Sequence, residues 1–332
     1  MDVLVSATAF DRFGERLVAA APSARFLLAA EDGVRDQSGE PVLDGEPTVA
    51  WLSSDLFAGG RGVVWFRAAF IDSPRLAWVH SSTAGLDSPL FTQLLARGVR
   101  VSSAHIYAVP LAEYVLRAAL DHFQRADQWR AAEADRAWRP HECAEMAGST
   151  WLVVGLGNIG RRITLVATAL RANVLGADRT EPSDASIHEF VAADELLGHL
   201  SRCDVVVLAR PAAPDEPPLV DTRFLAAMRP GSLLVNVARG SLVDESALVA
   251  AVDRGTPGRA VLDVMAHEPL ADDSPLWAHP AITVTPHSAG QGLGRYQRGA
   301  DVFERNLRDF LAGRPIHGEA TAPAATAPAA TA

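Results

Sequence analysis

Residues 150–160 read Thr-Trp-Leu-Val-Val-Gly-Leu-Gly-Asn-Ile-Gly. Four apolar residues ending at Val154 read as a buried strand, and a helical pattern opens near Asn158. Each glycine between them has a physical task. Gly155 permits a tight turn, Gly157 lets backbone approach a pyrophosphate, and Gly160 lets the helix pack closely on the strand. A helix start also presents unpaired N–H groups and the positive end of its dipole, with Asn158 and Ile159 in the first turn. A second apolar stretch, Asn173–Ala177, leads into Asp178, 18 residues beyond Gly160. That is where a carboxylate receives a ribose 2′-hydroxyl. Asp178 repels a 2′-phosphate, which favours NAD. Arg179 follows it and accepts one, which keeps NADP as the second choice.

Working outward, short apolar runs alternate with helical patterns. One series of candidate strands is Val3–Val5, Phe26–Ala29, Thr48–Leu52, Gly62–Phe66, Leu76–His80 and Val99–Ser102. The other is Trp151–Val154, Asn173–Ala177, Asp204–Ala209, Ser232–Val237, Ala260–Val264 and Ile282–Thr285. Continuous apolar runs separated by helices read as parallel strands buried on both faces. The fold class expected is α/β: two Rossmann-like or flavodoxin-like domains with doubly wound parallel sheets and a cleft between them. Residues 1–108 with 290–318 form the expected substrate domain, and 109–289 the NAD(P)-binding domain. Long helical patterns over Pro110–Arg130 and Arg295–Leu311 fall near the two crossings. Residues 319–332, an Ala/Pro/Thr stretch with nothing to fill a core, are expected to be disordered.

The composition narrows the function. The chain has 332 residues, 48% hydrophobic and 21% charged, as in globular domains. Its net charge of −10 disfavours a broad nucleic-acid surface. No apolar run is long enough to cross a bilayer. The opening MDVLVSATAF lacks a basic segment, so no signal peptide is expected. Two cysteines, Cys143 and Cys203, form neither a disulfide framework nor a zinc quartet, and fit a reducing cytoplasm. Cys203 reads as a small core residue. No G-x-S-x-G, H-E-x-x-H or C-x-x-C occurs, so hydrolase and metal readings lack their residues and no metal is expected.

Three charged residues each lie just past an apolar strand: Arg239 after SLLVNVA, Glu268 after AVLDVMAH and His287 after AITVTP. In open parallel sheets, ligands bind outside the carboxyl ends of the strands. The planar guanidinium of Arg239 suits a carboxylate and a carbonyl oxygen. His287 suits proton transfer near neutral pH, and Glu268 suits holding the imidazole and favouring its charged form.

With these residues in place, the chain resembles the D-isomer-specific 2-hydroxyacid dehydrogenases, in particular glyoxylate/hydroxypyruvate reductases, from about Leu76 to Pro315. The matching segments are WVHSSTAGLD (78–87), VPLAEYVL (109–116), GLGNIG (155–160), RPGSLLVNVARGSLVDESAL (229–248), AVLDVMAHEPL (260–270), SPLWAHPAITVTPHSAG (274–290) and ERNLRDFLAGRPI (304–316). The resemblance implies that Arg239 orients the substrate, His287 is the acid/base and Glu268 its partner. It implies that Asp263 contacts the nicotinamide carboxamide, that Pro211 and Ala238 line the cofactor, and that the Ala84-Gly85 backbone receives the substrate carboxylate. It also implies a homodimer and a small 2-oxo or 2-hydroxy acid as substrate. LARPAAPDEPPLVD (208–221) departs from the family's usual loop, and Arg210 is unusual there. Trp51 and Trp277 are candidates for the pocket or the core. The competing readings are a dehydrogenase of phosphoglycerate, phosphite or formate, with Arg61, Arg67 and Arg210 as candidate anion contacts, and a dinucleotide-sensing corepressor or scaffold without turnover.

Overall fold

The computed structural model of the chain describes residues 1–58, 62–83, 85–86, 88–213 and 215–320. Two compact units emerge, one formed by Met1–Ile106 with the chain from Leu293 onward, the other by Tyr107–Gly292. Among the described residues, no helix is long and apolar enough to cross a membrane.

The first unit runs β1 (Asp2–Ser6), α1 (Ala7–Ala20), β2 (Arg25–Ala30), β3 (Gly33–Asp36), β4 (Val49–Leu52), α2 (Gly62–Ile71), β5 (Trp78–Ser81), α3 (Pro89–Ala96) and β6 (Arg100–Ser103), and is completed by the helix Gly294–Leu311. Its strands order as β3-β2-β1-β4-β5-β6, all parallel except the β2–β3 hairpin. Successive strand residues point to opposite faces. Leu4, Leu27, Ala50 and Val79 pack under α2 and α3, while Val3, Val5, Phe26 and Trp78 pack against α1 and the final helix. Trp51 is buried and stacked on Phe303, so it belongs to the core.

The second unit carries the longer sheet. After α4 (Ala108–Phe123) and α5 (Ala126–Ala134) come β7 (Thr150–Val154), α6 (Asn158–Ala169), β8 (Asn173–Asp178), β9 (Glu189–Ala192), α7 (Leu196–His199) and β10 (Val205–Leu208). Then follow α8 (Thr222–Ala227), β11 (Leu233–Asn236), α9 (Glu245–Val252), β12 (Arg259–Leu262), α10 (Pro275–Ala278) and β13 (Ile282–Val284), and Gly294–Leu311 is α11. All seven strands are parallel in the order β13-β12-β11-β10-β7-β8-β9, so the strand order reverses between β7 and β10. Both faces are covered: Leu152, Val206 and Leu234 on one, Trp151, Val205 and Leu233 on the other. Cys203 is buried in the first of these layers, and burial pushes its thiol up to about 12.

Several expectations need correction. Gly62–Phe66 is the first half of α2 and not a strand. Phe66 and Phe70, one helical turn apart, are the buried face, whereas exposed Val64 and Trp65 made the run look continuously apolar. The sheet takes β3 instead, a short polar edge strand. The helix expected over Pro110–Arg130 is interrupted at Arg125, whose φ of 51° is left-handed. Disorder does not begin at 319. Glu319 pairs with Arg100 at 2.6 Å, and the Ala320 N–H donates to the Val101 carbonyl at 2.8 Å. Residues 321–332 lie outside the described residues.

His80 on β5 is fully buried, its Nδ1 2.7 Å from Ser102 Oγ, and Ser102 also accepts from Trp78 Nε1 at 2.9 Å. Burial lowers His80 to about 3, and likewise lowers His122 on α4 to about 4. Both are neutral when folded and bind protons when unfolded, so their contribution is complete above the unfolded value of about 6.5 and is lost as pH falls toward 3. At pH 5, His80 alone is expected to remove about 2 kcal/mol of stability relative to pH 7.5. Calorimetric melting at both pH values checks this: His80→Gln should flatten the pH dependence, and an unchanged slope would contradict it.

Candidate active site

The glycine loop is built by close approach. Gly155 has φ +99°, and a Cβ there would lie 2.6 Å from the Arg210 nitrogen. A Cβ on Gly160 would lie 1.8 Å from the Gly155 carbonyl oxygen, so only glycine lets α6 seat on β7. Gly157 differs: its φ is an ordinary −68° and a Cβ would meet no protein atom within 4 Å.

The helix starts explain what this space is for. α1, α8 and α9 begin on Ser6, Asp221 and Asp244, whose side chains accept from Ala9, Phe224 and Ala247 N–H groups. α6 begins on Gly157, which has no side chain to accept its first amides. Asn158 and Ile159 open that helix. The Asp178 carboxylate, at the end of β8, accepts the Leu156 and Arg179 N–H groups, both at 2.7 Å, and so ties the loop to the second strand. The Arg179 side chain is exposed. Donors left without a cap, a gap at Gly157 and a carboxylate at the next strand end fit a dinucleotide.

On the other side of the strand-order reversal, β11, β12 and β13 lie in register through Asn236, Leu262 and Val284. Arg239, Glu268 and His287 follow those three strand ends. Buried Asn236 shapes the first turn: its Oδ1 accepts the Ala238 N–H at 3.0 Å and its Nδ2 donates to the Arg239 carbonyl at 2.9 Å. The next residue, Gly240, packs so tightly that a Cβ would lie 1.8 Å from the Met265 carbonyl carbon. This contact seats the Arg239 turn on the loop leading to Glu268. Arg239 is half-buried, its Nη1 donating to the Ala238 carbonyl at 2.8 Å.

Glu268 and His287 meet directly. His287 Nδ1 lies 2.9 Å from Glu268 Oε2, while Glu268 Oε1 accepts the Met265 N–H at 3.1 Å. The carboxylate thus has one oxygen on its own loop and one on the imidazole. Trp277 is half-exposed, its Nε1 donating to the Ala271 carbonyl at 2.9 Å.

Asp263 organises the histidine turn. It is 2% exposed, and its Oδ1 accepts Thr285 Oγ1 at 2.6 Å and the Ser288 and Ala289 N–H groups at 2.9 and 3.0 Å. Oδ2 accepts the Ala289 N–H at 3.0 Å. Tyr114 on α4 donates to Thr285 at 2.7 Å, and burial holds its phenol above the usual range, so it stays a donor. Asn236, Gly240, Thr285 and Tyr114 had not stood out in the sequence. All but Asn236 reach their partners only through chain separations of twenty residues or more.

Of the remaining candidates, Ala238 is buried in the Arg239 turn and Pro211 is exposed after β10. Gly85, in the first unit, is half-buried, its carbonyl accepting from Thr83 Oγ1 at 2.7 Å. Ala84 and Arg61 lie outside the described residues, and Arg67 is exposed on α2.

Residues 114–289, more than half the chain, match the D-isomer specific 2-hydroxyacid dehydrogenase, NAD binding domain. The chain belongs to that family. Among solved structures, a D-isomer specific 2-hydroxyacid dehydrogenase family protein from Aeromonas salmonicida is similar over 97% of this chain and 99% of its own, with 28% identity and a TM-score of 0.80. A family member from Xanthobacter autotrophicus, in complex with NADPH and MES, shares 28% identity over 97% of this chain and 98% of its own, with a TM-score of 0.75. An NADPH-dependent glyoxylate/hydroxypyruvate reductase from Sinorhizobium meliloti has the same fold, with a TM-score of 0.75 at 22% identity over 97% and 98% of the two chains. Like the rest of its family, this dehydrogenase is an NAD(P)-dependent oxidoreductase.

The two glycines of this family member should separate by experiment. Gly157→Ala is expected to leave the melting temperature within about 2 °C and to weaken dinucleotide binding about tenfold or more, because its methyl intrudes only on the ligand's side. Gly160→Ala is expected to lower the melting temperature by about 6 °C or more, because its methyl meets backbone. Melting curves and NADH titrations of both variants check this, and equal losses of stability would contradict it.

Proposed function

We propose that this dehydrogenase reduces a small 2-oxo acid, of the glyoxylate, hydroxypyruvate or pyruvate kind, to the D-2-hydroxy acid. The His287–Glu268 pair at 2.9 Å carries the reading, set at strand ends in register with the turn that bears Arg239. A bound reduced nicotinamide supplies the hydride. Arg239 binds the substrate carboxylate and polarises the carbonyl with its fork of donors. His287 gives the oxygen a proton from Nε2, while Glu268 holds Nδ1 and fixes the ring. Asp263 acts as a positioning residue through the 285–289 turn. Asp178 favours NAD over NADP by its charge, and the NADPH bound to the Xanthobacter relative is the reason to titrate both.

The enzyme works as a homodimer in this reading. Trp138 is 99% exposed and Trp129 45% exposed on the stretch that follows α4, and large exposed aromatics of this kind suit an interface. The free thiols of Cys143 and Cys203 suit the reducing cytoplasm.

The decisive experiment is oxidation of NADH and NADPH against a panel of 2-oxo acids, with binding of each cofactor measured in parallel. Turnover with at least one small 2-oxo acid is expected. His287→Ala should lower kcat by about 10²–10⁴, and Arg239→Lys should raise KM and lower kcat together. Binding without turnover across the panel would instead support a dinucleotide sensor. Light scattering should give a mass twice the 35.3 kDa of one chain, and Trp138→Asp should shift it toward the monomer. A monomeric wild type would remove the dimer.

A further inference from the structure

Arg210 has no part in the reaction just described, yet it stands where the strand order reverses. A Cβ on Gly155 would lie 2.6 Å from its nitrogen and 2.7 Å from its Cα and Cβ, so the backbone of Arg210 rests on the first glycine of the loop. In sheets of this topology the pyrophosphate crosses at the reversal. The side chain is turned away along its own loop: Nε donates to the Pro211 carbonyl at 3.0 Å, and Nη2 pairs with both oxygens of Glu216. Glu216 does not depend on that pairing, because its Oε2 also accepts the Ala213 N–H at 2.9 Å. The Ala213 N–H first, and Arg210 second, hold the Glu216 carboxyl below the usual carboxylate range.

We propose that Arg210 is a contact for the dinucleotide's phosphates, and that Glu216 holds its guanidinium away until the dinucleotide binds. The proposal rests on the reading of the glycine loop as a dinucleotide site. The exchange is favourable on physical grounds. The Arg210 and Glu216 side chains are 28% and 25% exposed, and ion pairs reached by solvent contribute little. A guanidinium on phosphate makes parallel charge-assisted bonds that a carboxylate already sharing an amide does not better. After the exchange Glu216 keeps the Ala213 N–H and contact with water, so no charge is stranded in the interior.

A competing latch predicts opposite signs from its two halves. Calorimetric titration of the full chain with NADH, ADP-ribose and AMP tests this in wild type, Arg210→Ala, Arg210→Gln, Glu216→Gln and the Arg210→Ala/Glu216→Gln double variant. Both Arg210 variants are expected to weaken NADH and ADP-ribose about tenfold, and to leave AMP, which lacks the second phosphate, within about twofold. Glu216→Gln is expected to tighten NADH about threefold or more, and the double variant to bind like Arg210→Ala. If Glu216→Gln weakens NADH or leaves it unchanged, or if neither Arg210 variant weakens it, the proposal is overturned while the dinucleotide reading stands. Wild type that binds neither NADH nor NADPH would overturn both.

Discussion

A buried carboxylate, Asp263, holds the turn after β13 onto the end of β12. Burying such a group costs several kcal/mol unless donors surround it. Here the donors are the Thr285 hydroxyl and the Ser288 and Ala289 amides, all from the segment that follows β13. That segment must therefore fold back over the end of β12. In doing so His287 takes a left-handed φ of 50°, a conformation costing about 1–2 kcal/mol for a residue with a Cβ. The His287 N–H closes the same turn on the Asp263 carbonyl at 2.8 Å. The imidazole direction is thus set by contacts made below it, together with the Nδ1 bond to Glu268.

The opposite half of the sheet solves a different problem with the same material. In the dinucleotide reading an anion is met by backbone, so side chains must be withdrawn. Gly157 withdraws one at the start of α6, where α8 and α9 of the same unit carry Asp acceptors. Gly155 and Gly160 withdraw two more so that strand, loop and the β10 end touch. The sheet joins the two solutions because β7 and β10 pair directly, residue for residue, from Val205–Trp151 to Leu208–Val154.

Much of this could be read from the chain because parallel strands buried on both faces have no polar alternation to disguise them. The runs ending at Val154, Asn236 and Leu262 are of that kind, and so were legible. Arg239 and Glu268 beyond the last two of these, and His287 beyond β13, were legible as charged residues that follow an apolar stretch. What escaped was set elsewhere. The strand β3 is short and polar, and owes its existence to pairing with β2. The strand β9, Glu-Phe-Val-Ala, has one fully buried residue and reads as loop. The helix α2 hid its period behind exposed Val64 and Trp65. Tyr114 meets Thr285 across 171 positions, a distance no local pattern can encode.

Depth decides chemistry more firmly than residue type. His80 lies within β5 and His287 in the turn after β13, and each has Nδ1 on an oxygen, at 2.7 and 2.9 Å. His80 faces a serine hydroxyl beside Phe303, fully buried, and burial drives it to about 3. A histidine so placed keeps one charge state across the physiological range and cannot exchange a proton with a ligand. His287 sits 55% exposed, its Nδ1 on the Glu268 carboxylate and its ring open to solvent. The buried acidic residue, Asp263, shows the converse. Saturated with donors and closed to solvent, it is suited to holding the 285–289 segment in place.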